Sequence, residues 1–200
     1  MPQLMKPKIA RSTPNKSPRS VRRHSQRVAQ SRAALRRAMA ELLRERAFDT
    51  ITVSDLLRRS GIGRATFYAH FQDKHDLLLA SFCGMLDAIT AAMQADTGSP
   101  SRLLPVREFF AHVGSAGPML QMLQDAGQLP VMWELAGAHF ARVAEPAAGS
   151  PVAARFLAGA MLELLRWWLM AVPQPSPEAM DAQFHELARR MLPARRPSPR

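Results

Sequence analysis

Residues 52–71 leave few folds open to this chain. The Thr52 hydroxyl can accept from a free first-turn N–H, and Asp55, three residues on, completes a capping-box pair. The helix started there runs out at Gly61, a residue free to take positive φ. After the turn Ser60-Gly61-Ile62-Gly63 a second short helix restarts at Arg64. Leu56, Leu57, Ile62, Phe67 and Phe71 supply an apolar core between the two helices, as in a helix-turn-helix. The second helix then presents Arg64, Ala65, Thr66, Tyr68 and His70 outward. Those side chains are short or hydrogen-bonding, which suits a groove about 12 Å wide. A compact helical hairpin without a partner has the same pattern, so the surrounding charge has to separate the two readings.

The charge favours nucleic acid. The 200-residue chain carries a formal net charge of +11. Residues 1–46 hold 13 Lys and Arg against Glu41 and Glu45, which is the whole surplus, while residues 47–200 hold 14 basic and 14 acidic groups. A basic segment directly before a helix-turn-helix, on a neutral body, points to a polyanion partner.

Composition and motif searches exclude other classes. The single cysteine, Cys83, rules out an internal disulfide framework and a Cys-rich zinc module, and it fits a reducing cytoplasm. His24, His70, His75, His112, His139 and His185 are scattered with no metal-ligand spacing, so no metal and no cofactor is expected. Residues 1–36 lack the apolar run of a secretory signal. The stretch 156–172 is short for a membrane span and carries Glu163 and Arg166, so it reads as a buried helix and no membrane partner is expected. No GxSxG, P-loop, GxGxxG or HExxH pattern occurs, and the chain reads as a non-enzyme.

The organisation expected is all-α. Residues 1–25, with Pro2, Pro7, Pro14 and Pro18 among basic residues and serines, read as a disordered basic arm, and 193–200 as a short tail. Helices are expected over about 25–46, 52–61, 64–71, 73–93, 105–113, 118–126, 130–145, 151–172 and 177–192, bounded by caps, glycines and prolines. They group as a three-helix DNA-binding domain over 26–72 and a helical C-terminal domain over 73–192.

The core Thr66-Phe67-Tyr68-Ala69-His70-Phe71, followed by Asp73-Lys74 and Leu77-Leu78, resembles the DNA-binding domain of TetR/AcrR-type transcriptional regulators. The resemblance covers about residues 28–92. The runs 159–170 and 175–180 also look like the closing helices of one group of TetR-like proteins. The resemblance implies that Thr52 caps the first helix of the motif and sits on a phosphate. It places Arg64, Ala65 and Thr66 at base and phosphate contacts. Tyr68 and His70 then face the DNA backbone, and Lys74 makes a further phosphate contact. Gly63 stands where many family members carry a capping Ser or Thr, which loses a side-chain cap. In the basic arm Arg19, Arg22, Arg23 and Arg27 are the expected DNA contacts, against the plainer reading of a solvated tail.

For the C-terminal half the resemblance implies a homodimer through 151–172 and 177–192 and a small apolar or amphipathic effector. Residues 152–172 are apolar almost all round, as in a helix serving both a core and a subunit interface; burial within one chain is the alternative. Trp167 and Trp168 point about 100° apart, so one can pack inward and the other across a dimer. Phe110, Met122, Trp133 and Trp167 are the candidate walls of an effector pocket, although such side chains equally fill any helical core. The expected function is a cytoplasmic homodimeric repressor of a palindromic double-stranded operator, released by a small molecule. An activator of the same fold, or a ligand-independent architectural DNA-binding protein, is the alternative.

Overall fold

In the computed structural model the described residues are 18–96 and 102–192, and among them only helices and turns form. The order is α1 (Pro18–Glu45), a 3-10 turn (Phe48–Thr50), α2 (Val53–Ser60), α3 (Arg64–Tyr68), α4 (Lys74–Ala95), α5 (Val106–Ser115), α6 (Gly117–Asp125), α7 (Leu129–Ala148), α8 (Pro151–Met170) and α9 (Pro177–Met191). Helix α1 begins at Pro18, so residues 18–25 are helical and the expected arm boundary at 25 moves back. Pro is well suited to a first helical position, which makes Pro18 a natural start. Residues 1–17 and the expected tail 193–200 lie outside the described residues.

Local chemistry sets most of the helix starts. Asp73 caps α4 by accepting from the His75 and Asp76 N–H groups at 2.8 and 2.9 Å. Ser150 and Ser176 cap α8 and α9 through the N–H of Ala153 and Ala179, each followed by a proline at the first helical position. Gly61 ends α2 at φ 70°, a left-handed conformation that side chains disfavour.

The buried residues form two cores. The first is built from Leu35, Met39, Leu42, Phe48, Leu56 and Phe67 of the N-terminal elements, with Leu77 and Leu78 from the start of α4. The second gathers Leu86 and Ile89 from later in α4 with α5, α7, α8 and α9. Helix α4 is thus shared, and a boundary at 72/73 cuts off two leucines that the N-terminal core contains. Leu123 of α6 and Met132 of α7 also belong to the first core, reaching back from the C-terminal half. Helix α4 is long and apolar enough by composition to cross a membrane. Its apolar side chains are instead shared between these two cores.

Polar ties fix the second core. Arg102, almost wholly buried, pairs with Glu108 at 2.7 Å and Asp181 at 2.5 Å. Burial raises the Glu108 pKa, but hydrogen bonds from Arg102 and Arg107 outweigh it and pull the value down to about 2. His185 accepts from the Leu103 N–H at 2.9 Å on Nε2 and donates from Nδ1 to the Asp181 carbonyl at 2.8 Å. The bond accepted at Nε2 requires the neutral ring, with its proton on Nδ1. His139 sits 2.9 Å from the Thr90 hydroxyl and joins α7 to α4. Trp168 packs on Phe110 with ring centroids 5.2 Å apart, and a Cβ at position 114 would lie 2.8 Å from its ring, so Gly114 is what lets it in.

Desolvation lowers the pKa of His112, His139 and His185; Arg44 reinforces it at His112, while Asp87 at His139 and Asp181 at His185 oppose it without reversing it. The folded chain therefore binds fewer protons than the unfolded one near and below the ordinary histidine value of about 6.5. Urea unfolding should give a stability that is full above about pH 6.5 and declines as the pH falls below it. His185→Asn should be less stable at neutral pH and lose less on acidification.

Candidate nucleic-acid interface

The helix-turn-helix is held by Asp55. Its carboxylate accepts from the Thr52 N–H at 3.0 Å and the Thr52 hydroxyl at 2.7 Å, while the Asp55 N–H donates to that hydroxyl at 3.2 Å. Arg46 and Arg58 pair with the same carboxylate at 2.8 and 2.6 Å. These hydrogen bonds, Thr52's first, hold the Asp55 pKa far below the usual carboxylate range. One turn further along the same face of α2, Arg59 makes two hydrogen bonds to Glu45 at 2.7 and 2.8 Å and reaches Glu41 at 3.4 Å. Helix α2 is thereby tied to α1 and the residue after it at two successive turns. The Thr52 cap is present as expected. Its N–H and O–H are both directed to Asp55, so neither donor is left for a phosphate in this arrangement.

Helix α3 stands out from the surface on two buried rings. Phe67 is wholly buried and Phe71 nearly so. Tyr68, 51% exposed, leans edge-on against Phe67 at 5.2 Å and projects its hydroxyl outward. Arg64 and Ala65 are exposed, and Thr66 and His70 are half-buried. Arg64 lies 3.5 Å from the hydroxyl of exposed Ser54 in the first turn of α2. Gly63 precedes α3 with no side-chain cap, and the Ser60 hydroxyl accepts from the Ile62 N–H at 3.3 Å to hold the turn. The turn and α3 together form a small head whose one formal charge is the Arg64 guanidinium. Arg27 is exposed on α1, outside this head, and Arg32 covers the Phe71 ring at 5.6 Å.

Lys74 differs from expectation. Its ammonium donates to the carbonyls of Phe48, Asp49 and Ile51, each at 3.0 Å, and lies 4.6 Å from the Phe48 ring centroid. An ammonium has three N–H donors, so all are matched and none remains for a phosphate. Sequence gave no signal for this, because the acceptors lie 23 to 26 residues away and converge only in the fold.

The expected effector walls separate into three groups. Trp133 lines a cavity of about 170 Å³ bordered by α4, α5, α6 and α7, with Leu169 of α8. Phe110 is completely buried in the core against Trp168 and does not line it. Trp167 is 55% exposed and lines a separate groove between α8 and α9, beside Phe156, Leu187 and Met191. The Met122 side chain lies outside the described residues. Phe82, Met85, His112 and Gln124 line the cavity and were not expected there. The helical spacing of Phe109, His112, Val113 and Ala116 on one face of α5 is the signal that could have found it. Among the described residues no cluster of His, Cys, Asp and Glu is placed to hold a metal ion.

Residues 35–81 match the sequence model of bacterial regulatory proteins, tetR family. A stretch of 53 residues is 45% identical to an uncharacterized HTH-type transcriptional regulator, YxbF, of Bacillus subtilis. That match covers 26% of this chain and 14% of the relative. Among solved structures, a TetR transcriptional regulator from Streptococcus agalactiae superposes with a TM-score of 0.54 at 17% identity, over 84% of this chain and 98% of that one. The dihydroxyacetone kinase operon activator DhaS gives 0.59 at 15% identity, over 81% and 96%. The TetR family repressor AlkX from Dietzia, implicated in biodegradation of n-alkanes, gives 0.54 at 17% identity, over 80% and 94%. At these identities the structural likeness is one of fold.

Lys74→Met should lower stability in urea by about 2 kcal/mol, the range for hydrogen bonds to a charged group. It should weaken DNA binding while leaving the slope of log K against log[salt] unchanged. A slope reduced by about one would mark a phosphate ligand instead.

Proposed function

We propose that this chain, whose residues 35–81 match the tetR-family model, is a DNA-binding transcriptional regulator of the TetR family, that it acts as a homodimeric repressor of a palindromic operator, and that a small molecule releases it. The observation that carries the DNA-binding part is the projecting head. Arg64, Ala65, Thr66 and Tyr68 sit on α3, with His70 in the turn after it, and Phe67 and Phe71 anchor this segment from inside. A short helix fixed in this way can enter a major groove without losing its own core. In this reading Arg64 and Thr66 read base edges or nearby phosphates, Ala65 permits close approach, and Tyr68 and His70 hydrogen-bond to the backbone. The exposed Arg22, Arg23 and Arg27 of α1 add electrostatic affinity, continued by the basic residues before Pro18. Thr52 and Lys74 then act by positioning α2 and α4, not as phosphate ligands.

Dimerisation through α8 and α9 is supported by the apolar side chains left in solvent there. Phe156, Trp167, Leu187 and Met191 are 48–62% exposed and border one groove. A patch of large apolar groups on an otherwise packed protein marks an interaction site, and a two-fold pairing covers it with a copy of itself. The cavity lined by Trp133 is the effector site, placed where α6 and α7 also contribute to the DNA-binding core. A ligand that binds one spacing of the two heads better than the other suffices to shift operator occupancy. Repression follows where the operator overlaps a promoter. The fold itself does not set the sign, since its structural neighbours include both a repressor and an operon activator.

In fluorescence anisotropy, Arg64→Ala and Tyr68→Ala should each weaken operator binding by about tenfold or more, with the urea midpoint held. Equal affinity for every palindrome tried, including those near its own promoter, would sink the proposal. Trp167→Glu should shift the protein to monomer in sedimentation velocity and weaken operator binding in parallel.

A further inference from the structure

The cavity under α5 is small and its chemistry is one-sided. At about 170 Å³ it is close to the roughly 150 Å³ engineered cavity that takes up benzene, and well below the size of pockets for drug-sized ligands. Three aromatic side chains wall it, Phe82, Phe109 and Trp133, and the thioethers of Met85 and Met132 complete an adaptable surface. Among the described lining residues none carries a formal charge, and hydrogen-bonding side-chain atoms come only from His112, Gln124 and the Trp133 indole. The lining itself offers an ion no opposite charge in exchange for its hydration.

We propose that this site takes a compact, uncharged molecule of one aromatic ring carrying a single hydrogen-bonding group, which meets His112 or Gln124. The inference rests on the ligand-responsive reading above and narrows it to a ligand class. Ring-shaped ligands are favoured over chains because the aromatic walls give edge and face contacts to a flat guest. Long amphiphiles are disfavoured because the volume is small for an extended chain, and Leu123 at its edge is buried in the DNA-binding core. Desolvation and the nearby Arg44 charge lower the His112 pKa, which favours the neutral ring with one donor and one acceptor.

The test is a titration of the full chain with benzyl alcohol, sodium benzoate and 1-dodecanol, read by Trp133 emission (Trp133→Phe as control) and by Tm. Benzyl alcohol should give a saturable emission change and raise Tm, with benzoate and dodecanol at least about tenfold weaker. Ala116→Phe, which places a ring in the cavity from the end of α5, should abolish the response to benzyl alcohol while keeping Tm at or above that of the parent. If that variant does not fold, Ala116→Leu should weaken binding instead. Benzoate or dodecanol binding as tightly as benzyl alcohol, or no saturable response to benzyl alcohol, overturns the proposal. Operator binding without ligand separates it from the regulatory reading. An intact operator complex with no benzyl alcohol response overturns the ligand class alone. A ring-binding protein that ignores its operator supports the ligand class and overturns the regulatory reading.

Discussion

The ammonium of Lys74, at the first position of α4, closes the carbonyl end of the 3-10 turn at 48–50 and covers the Phe48 ring. A cation is unfavourably placed at a helix N-terminus. Three converging carbonyls offset that, and the result is a fixed joint between the helix-turn-helix and α4. Phe48 and Ile51 flank the tied segment and pack in the same core as Leu56 and Phe67, so the joint and the anchors of the helix-turn-helix are one packed unit.

From that joint α4 carries the structure into its second half. Leu77 and Leu78 belong to the first core, Leu86 and Ile89 to the second. Return contacts come from Leu123 and Met132, which bury themselves beside α1. The two halves are therefore coupled through shared apolar side chains, and the cavity lies where those side chains meet. Buried polar groups fix the far side. The pairing of Arg102 with Glu108 and Asp181, and the neutral His185 bridging Leu103 and Asp181, hold the segment before α5 against α9. Removing one partner would leave a buried charge or N–H unmatched, the costly case for such groups.

Legibility followed range. The capping box of Thr52 and Asp55, the left-handed Gly61 and the serine-proline starts of α8 and α9 involve groups a few residues apart, and sequence spacing is enough to place them. The division of labour between Trp167 and Trp168 was legible in part. Their angular separation is fixed by the helix, and Trp168 is buried while Trp167 is exposed. Which way each turned depended on Phe110 and Gly114 across the core. Asp55 was readable as a cap but not as the carboxylate that also gathers Arg46 and Arg58.

Sequence alone determined the helical architecture, the helix-turn-helix at 52–71 and the placement of the whole charge surplus before it. Hydrophobic period, caps and charge order are properties of the chain itself. Tertiary structure alone decided which polar side chains have donors to spare. Thr52 and Lys74 look like phosphate ligands on the chain, yet their donors are taken up inside the fold, while Arg64 and Tyr68 keep theirs in reach of solvent. It also moved Phe110 and Trp167 out of the cavity and brought His112 and Gln124 to it. The physical reason is the same in each case. A hydrogen bond or a cavity wall depends on atoms brought together from distant parts of the chain, and neither spacing nor composition carries that distance.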